Sequence, residues 1–280
     1  MSREHRRRIK EYNRILSVDW DYFFPDMAWM DWGHNESAML IEHVWMIRCN
    51  DFNMKTRESV LDCMKPDPML LDNFWERTIH PSSKFDLLIE ESHAGLAKYL
   101  SDKDCYAHEV DNFDQHHDCG YGDMDRDSHV DCGEWAAYLA NVGRMGRYTV
   151  HYPPWRANQP ERSRAELRRR MGKFGGWNYK LPTPKIYDMV FICRSGGWTP
   201  PWTDNLFGKF AQELVERVHN DNVIKSWIWP KLRKPTMEEA IQIREKLIEQ
   251  HRMMMQQMKK RISETIISPS NRERQEGADK

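Results

Sequence analysis

Short apolar runs closed by turn residues recur along this chain, and between them lie stretches whose apolar residues return every three or four positions. The first pattern predicts buried strands and the second helices packed on them. Ile15-Leu16-Ser17-Val18 runs into Asp19 and is stopped by Tyr22-Phe23-Phe24-Pro25, which predicts a strand carrying acids at its C-terminal end. Phe85–Ile89, Cys105–Phe113, Tyr148–Tyr152 and Ile186–Cys193 predict four more strands. Helical spacing appears in Ser37–Arg48, from Ala94 to Leu100, and in Gly133–Val142 and Asp204–His219. Strands alternating with helices predict an α/β domain, with a mainly parallel sheet covered by helices on both faces.

Outside these elements the pattern changes. Residues 1–14 form a basic N-terminal arm, and 15–232 carry the predicted α/β domain. Within it, 155–185 is a basic insertion crowding Arg156, Arg162, Arg164, Arg168, Arg169, Arg170, Lys173, Lys180 and Lys185 with Pro and Gly. It reads as a solvated insertion with one short helix, Ser163–Met171; the sharper alternative is an anion-binding lid. Phe174, Trp177 and Tyr179 follow the arginines without interleaving, which argues against a nucleic-acid groove. Thr236-Met237-Glu238-Glu239 is a capping box opening a long helix over 236–267. Ile241, Ile248, Met255 and Ile262 recur every seventh residue along it, a stripe to be covered by the domain or by a second subunit in a homo-oligomer. The polar stretch 268–280 predicts a disordered tail.

The chain has 280 residues, enough for one large α/β domain, and its net charge of −1 excludes a globally basic nucleic-acid binder. No run reaches the roughly 18 apolar residues of a membrane span, and the basic N-terminus lacks the apolar core of a secretion signal. Six cysteines without a C-x-x-C pair predict reduced thiols in a cytoplasmic protein. Twelve Trp and 17 Met predict an irregular, aromatic-rich core.

The candidate chemistry lies in three segments: Asp19-Trp20-Asp21, His93, and Asp114-Gln115-His116-His117-Asp118. On an extended strand i and i+2 share a face, so Asp19 and Asp21 are expected together, as are Asp114, His116 and Asp118, with His117 turned away. Like charges gathered on one face beside an imidazole are costly without a cation. Six mostly hard ligands exceed the needs of one structural zinc and suit a pair of divalent metals. All three segments follow predicted strands, the edge where open α/β sheets place their sites.

As a set these motifs resemble the arginases and related ureohydrolases, whose D-x-H-x-D run, histidine loop and D-x-D strand correspond to Asp114–Asp118, Glu91-Ser92-His93-Ala94-Gly95 and Ser17-Val18-Asp19-Trp20-Asp21. Here the D-x-D strand comes first in the chain. That order, followed by Asp131-Cys132-Gly133-Glu134-Trp135 and Ser195-Gly196-Gly197-Trp198-Thr199-Pro200-Pro201, resembles the arginase-like family that contains the peptide arginases. The resemblance implies an arginase/deacetylase-like three-layer fold and two Mn(2+) ions per chain. It makes Asp19 and Asp114 bridging carboxylates, with His93 and Asp118 completing one metal and His116 and Asp21 the other. The implied reaction converts arginine, free or within a peptide, to ornithine and urea through a metal-bridging hydroxide. Asp118 would pass a proton to the leaving amine, His129 would shuttle protons, and Glu134 or Glu91 would grip the guanidinium. Arg194–Trp202 would gate the site or seat a peptide. Competing expectations are deacetylation or another amidine hydrolysis at the same site, a haloacid dehalogenase-type phosphatase using Asp19, and a metal-stabilised binding module without catalysis.

Overall fold

The structure is a computed structural model and describes residues 9–25, 41, 44–45, 47–120, 130–158, 167, 169, 171–172, 175–178, 183–217, 223–225 and 236–267. Seven strands are described: β1 (Lys10–Asp19), β2 (Asp86–Glu90), β3 (Cys105–Phe113), β4 (Met145–His151), β5 (Gly175–Asn178), β6 (Met189–Cys193) and β7 (Val223–Lys225). They form one sheet in the order β5-β4-β3-β1-β6-β2-β7, and every pairing is parallel.

Alternation along the strands divides the core into two layers. Leu16 and Val18, Leu87 and Ile89, and Val190 and Ile192 face one side, where Trp20 packs against Phe23, Phe24, Phe207 and Phe210. Phe207 and Phe210 belong to the helix Asp204–Val215. Ile15, Leu88, Met189 and Phe191 face the other side, against the helices Ala94–Asp102 and Trp135–Asn141. Helices therefore cover both faces, as the apolar runs predicted, and each central strand is buried on both sides because each face has its own layer.

The position of β1 decides where a site can form. It pairs with β3 on one edge and β6 on the other; the chain then proceeds outward through β4 and β5 on one side, and through β2 and β7 on the other. Strand order reverses at this central strand, and the C-terminal ends of β1, β2, β3 and β6 meet at one rim.

Several expectations need correction. The strand predicted from Ile15 starts at Lys10, so the last part of the basic arm is strand, its exposed residues alternating with buried Tyr12. Residues 1–8 of that arm and the polar tail 268–280 lie outside the described residues. The basic insertion is more than a solvated loop. Gly175–Asn178 adds an edge strand to β4, and Leu167 and Met171 of the expected short helix are buried beneath it. A Cβ on Gly175 would come within 2.7 Å of Met171 Cβ, so glycine permits this close approach. Arg162, Arg164, Arg168, Arg170, Lys173 and Lys180 lie outside the described residues. Of the predicted Ser37–Arg48 helix, the residues described are helical.

The long C-terminal helix runs Met237–Ile267. Its capping box is formed: Glu239 N donates to Thr236 Oγ1 at 3.2 Å and Thr236 N to Glu239 Oε2 at 2.8 Å. Ala240 in its first turn is buried with Cys49 and Leu61. None of the six cysteines is in a disulfide. Among the described residues no helix is long and apolar enough to cross a membrane.

Candidate metal centre

All six predicted ligands converge at the rim around the end of β1. Asp19 is its last residue, and its Oδ1 accepts the backbone N–H of Asp21 at 2.8 Å, capping the 3₁₀ turn Trp20–Phe23. Asp21 therefore reaches the site from a turn, and the strand alternation expected for this pair does not apply. The same correction holds for the second run. β3 ends at Phe113, and Asp114–Asp118 is a bent loop in which Asp118 takes φ of 50°. The loop is folded by its own first acid, since Asp114 Oδ1 accepts the His116 N–H at 2.6 Å. His117 is buried elsewhere, its Nδ1 accepting the Cys119 N–H at 3.1 Å.

His93, fully buried in the turn after β2, is ringed by carboxylates. Its Nδ1 lies 3.1 Å from Asp19 Oδ2, 3.3 Å from Asp118 Oδ2 and 3.7 Å from Asp114 Oδ2. His116 Nδ1 lies 3.0 Å from Asp21 Oδ2 and 3.4 Å from Asp114 Oδ1. Asp114 thus turns one oxygen to each imidazole. Grouped by distance, the donors fall into Asp21/Asp114/His116, His93/Asp114/Asp118 and Asp19/His93/Cys193. These buried His, Asp and Cys groups could hold a metal ion.

The electrostatics show what a cation would relieve. Burial and the neighbouring Asp114 push the Asp19 carboxyl up to about 8, against the Asp21 N–H, the His116 charge and a hydrogen bond from the Ser195 side chain. Burial, then Asp19 and Asp114, lift Asp21 to about 8 as well. Asp118 is driven well above the usual carboxylate range by burial and by Asp114. Burial disfavours the charged imidazole of His116, but Asp21 and Asp114 outweigh it and raise it to about 10. Buried carboxylates this close retain protons unless positive charge is supplied. The donor set, carboxylate oxygens with two imidazoles, fits a metal ion, which would take over the positive charge that the His116 imidazolium otherwise supplies.

A second layer of side chains aims these groups. Ser17 Oγ lies 2.9 Å from His93 Nε2; with the proton on Nε2, the Nδ1 lone pair can face a cation held among the carboxylates. Trp135 Nε1 donates to Asp118 Oδ2 at 2.6 Å, and the indole stacks on His93 at 5.0 Å. Asn112 Nδ2 donates to Asp114 Oδ2 at 3.0 Å, and Gln115 holds the Asp21 turn through Nε2 to the Asp21 carbonyl at 2.6 Å. Trp198 lies 4.9 Å from His116, ring to ring.

Trp135, inside the quoted Asp131–Trp135 run, contributes the side chain that reaches the cluster. Glu134 precedes the helix, its carbonyl accepting from Tyr138 N at 2.9 Å, and it is absent from the three donor groups. Glu91 Oε1 accepts the Gly196 N–H at 2.8 Å and lines a narrow cleft with Ser92, Cys132, Cys193, Ser195 and Trp198. His129 lies outside the described residues. Cys193 was not expected at the site. It is there because the β1–β6 register sets it directly beside Asp19, a pairing that apolar periodicity cannot reveal. Burial pushes its thiol well up, followed by the charge of Asp19, so it sits there as a neutral thiol.

No family model matches this sequence, and no curated protein or solved structure matches it. What the site can do follows from its own side chains.

The run Arg194–Trp202 is anchored firmly. The Arg194 guanidinium is buried against Asp204, Thr199 accepts its Nη1 at 2.9 Å, and Trp45 Nε1 donates to Gly196 O at 2.8 Å. A Cβ on Gly196 would fall 1.9 Å from Glu91 Oε1, so a larger residue there would displace the Glu91 carboxylate from the cleft.

Proposed function

We propose that this chain is a metal-dependent hydrolase acting on a guanidino group, with arginine, free or inside a peptide, as the substrate class and manganese as the metal. The observation that carries the reading is Asp114, a buried carboxylate with one oxygen toward His93 and the other toward His116, flanked on each side by further acids. Asp19, Asp114, Asp118 and His93 would hold one cation, and Asp21, Asp114 and His116 the other. A donor set rich in carboxylate favours manganese over zinc. Bound cations would supply a water of lowered pKa and a Lewis-acid surface for the carbon under attack.

The protein's own part is placement. Asp118, aimed by the Trp135 indole, is assigned to carry a proton to the departing amine nitrogen. Glu91, held by Gly196 N at the cleft, is assigned to face the planar guanidinium, which pairs best with a carboxylate. Trp198 and Cys193 line the same cleft as Glu91. The motif resemblance to arginase-like peptide-modifying enzymes supports the same chemistry. Phosphoaspartate chemistry at Asp19 would leave both imidazoles without a role.

The test is incubation of manganese-loaded protein with an arginine-containing peptide library, free arginine and agmatine. Mass spectrometry should show the loss of about 42 Da expected for guanidine hydrolysis. Asp19→Ala and His116→Ala should each lower bound manganese. Full metal retention by both variants would refute the donor assignment. Unchanged guanidines alongside hydrolysed acetyl-lysine peptides or p-nitrophenyl phosphate would refute the substrate class.

A further inference from the structure

The long C-terminal helix leaves the body of the protein after its first turns. Ala240 is buried, whereas every described side chain from Ile248 to Arg261 is exposed. At 31 residues it extends about 46 Å. Ile241, Ile248 and Met255 are 42%, 49% and 40% exposed at seven-residue spacing, and Met254 and Met258 beside them are 52% and 49% exposed. The apolar stripe is therefore not covered by this chain's own described residues.

The charges beside that stripe indicate what covers it. Glu238, Glu245, Arg252 and Lys259 also recur every seventh residue, along one edge of the stripe, and the sign changes halfway. We propose that the covering element is the same helix of a second copy, running antiparallel. Placing Ile241 of one copy opposite Met258 of the other puts Arg244 opposite Met255, where the arginine stem can lie on the thioether. In that register Glu238 flanks Lys259 of the other copy and Glu245 flanks Arg252, twice over by symmetry. The helix dipoles are opposed as well. A parallel pair would instead face this charged edge with Ala240, Leu247 and Met254, and would stack Arg244 on its own counterpart.

The experiment is sedimentation velocity on the full chain. Wild type should be a dimer that weakens as salt rises. Glu238→Lys with Glu245→Lys, and separately Arg252→Glu with Lys259→Glu, should each be monomeric at concentrations where wild type is dimeric. An equimolar mixture of the two variants should regain the dimer, a rescue that misfolding could not produce. A monomeric wild type, charge-reversed variants that still dimerise alone, or a mixture that stays monomeric would each overturn the proposal.

Discussion

Asp19 shows what the centre demands of a single side chain. Without a cation it is buried beside Asp114 and held up to about 8, and Asp21 likewise. Both folded values lie above the ordinary 3.8, so folded protein retains protons that unfolded chain releases. That stability is fully present below the unfolded value and is lost as pH rises through the folded one. Metal-free protein should therefore melt at progressively lower temperature between pH 3.8 and about 8. Asp19→Asn should make that decline shallower, because the amide carries no proton to lose and can still accept the Asp21 N–H. The same variant should forfeit most of the stabilisation that metal provides, about 2.7 kcal/mol for wild type at a hundredfold excess over Kd. Calorimetry with and without manganese across pH checks both outcomes. Trp135→Phe keeps a ring against His93 and removes the donor to Asp118; metal affinity should fall about 10- to 100-fold with the fold retained, read by competition against a chelator.

At the scale of elements, loops carry the donors and strands set their spacing. The D-x-H-x-D run was legible because three ligands in five residues are conspicuous, yet no strand alternation aligns them. They come together through a bend closed by Asp114 on the His116 N–H. Trp135 and Cys193 were not legible as site residues, since one arrives from a helix start and the other through the β1–β6 register. β5 was missed because Gly-Gly-Trp-Asn shows no alternation, and its Gly175 matters for close packing against Met171. Gly146 offers a clean test of such packing. A Cβ there would meet the backbone oxygen of His108 at 2.6 Å, and a carbonyl inside the sheet cannot swing aside as a side chain can. Gly146→Ala should cost about 1–3 kcal/mol in urea unfolding.

The whole molecule is arranged around its first strand. Both hydrophobic layers were legible as alternation within apolar runs, and the parallel sheet as alternation of strand and helix; the strand order was not, because nothing local to β1 says that its neighbours are β3 and β6. That order has a consequence for a chain emerging from the ribosome. β1 is made long before β6, so one of its edges waits for Met189–Cys193 before its backbone groups are paired. A chain ending at residue 188 should therefore expose an apolar, unsatisfied strand edge and aggregate, while a chain ending at residue 236 should stay dispersed, as light scattering of the two would show. During synthesis the nascent chain must keep its central strand shielded until Met189–Cys193 has been made, so this protein's yield in a cell should depend on chaperone supply more steeply than that of a protein whose strands pair in the order they are translated.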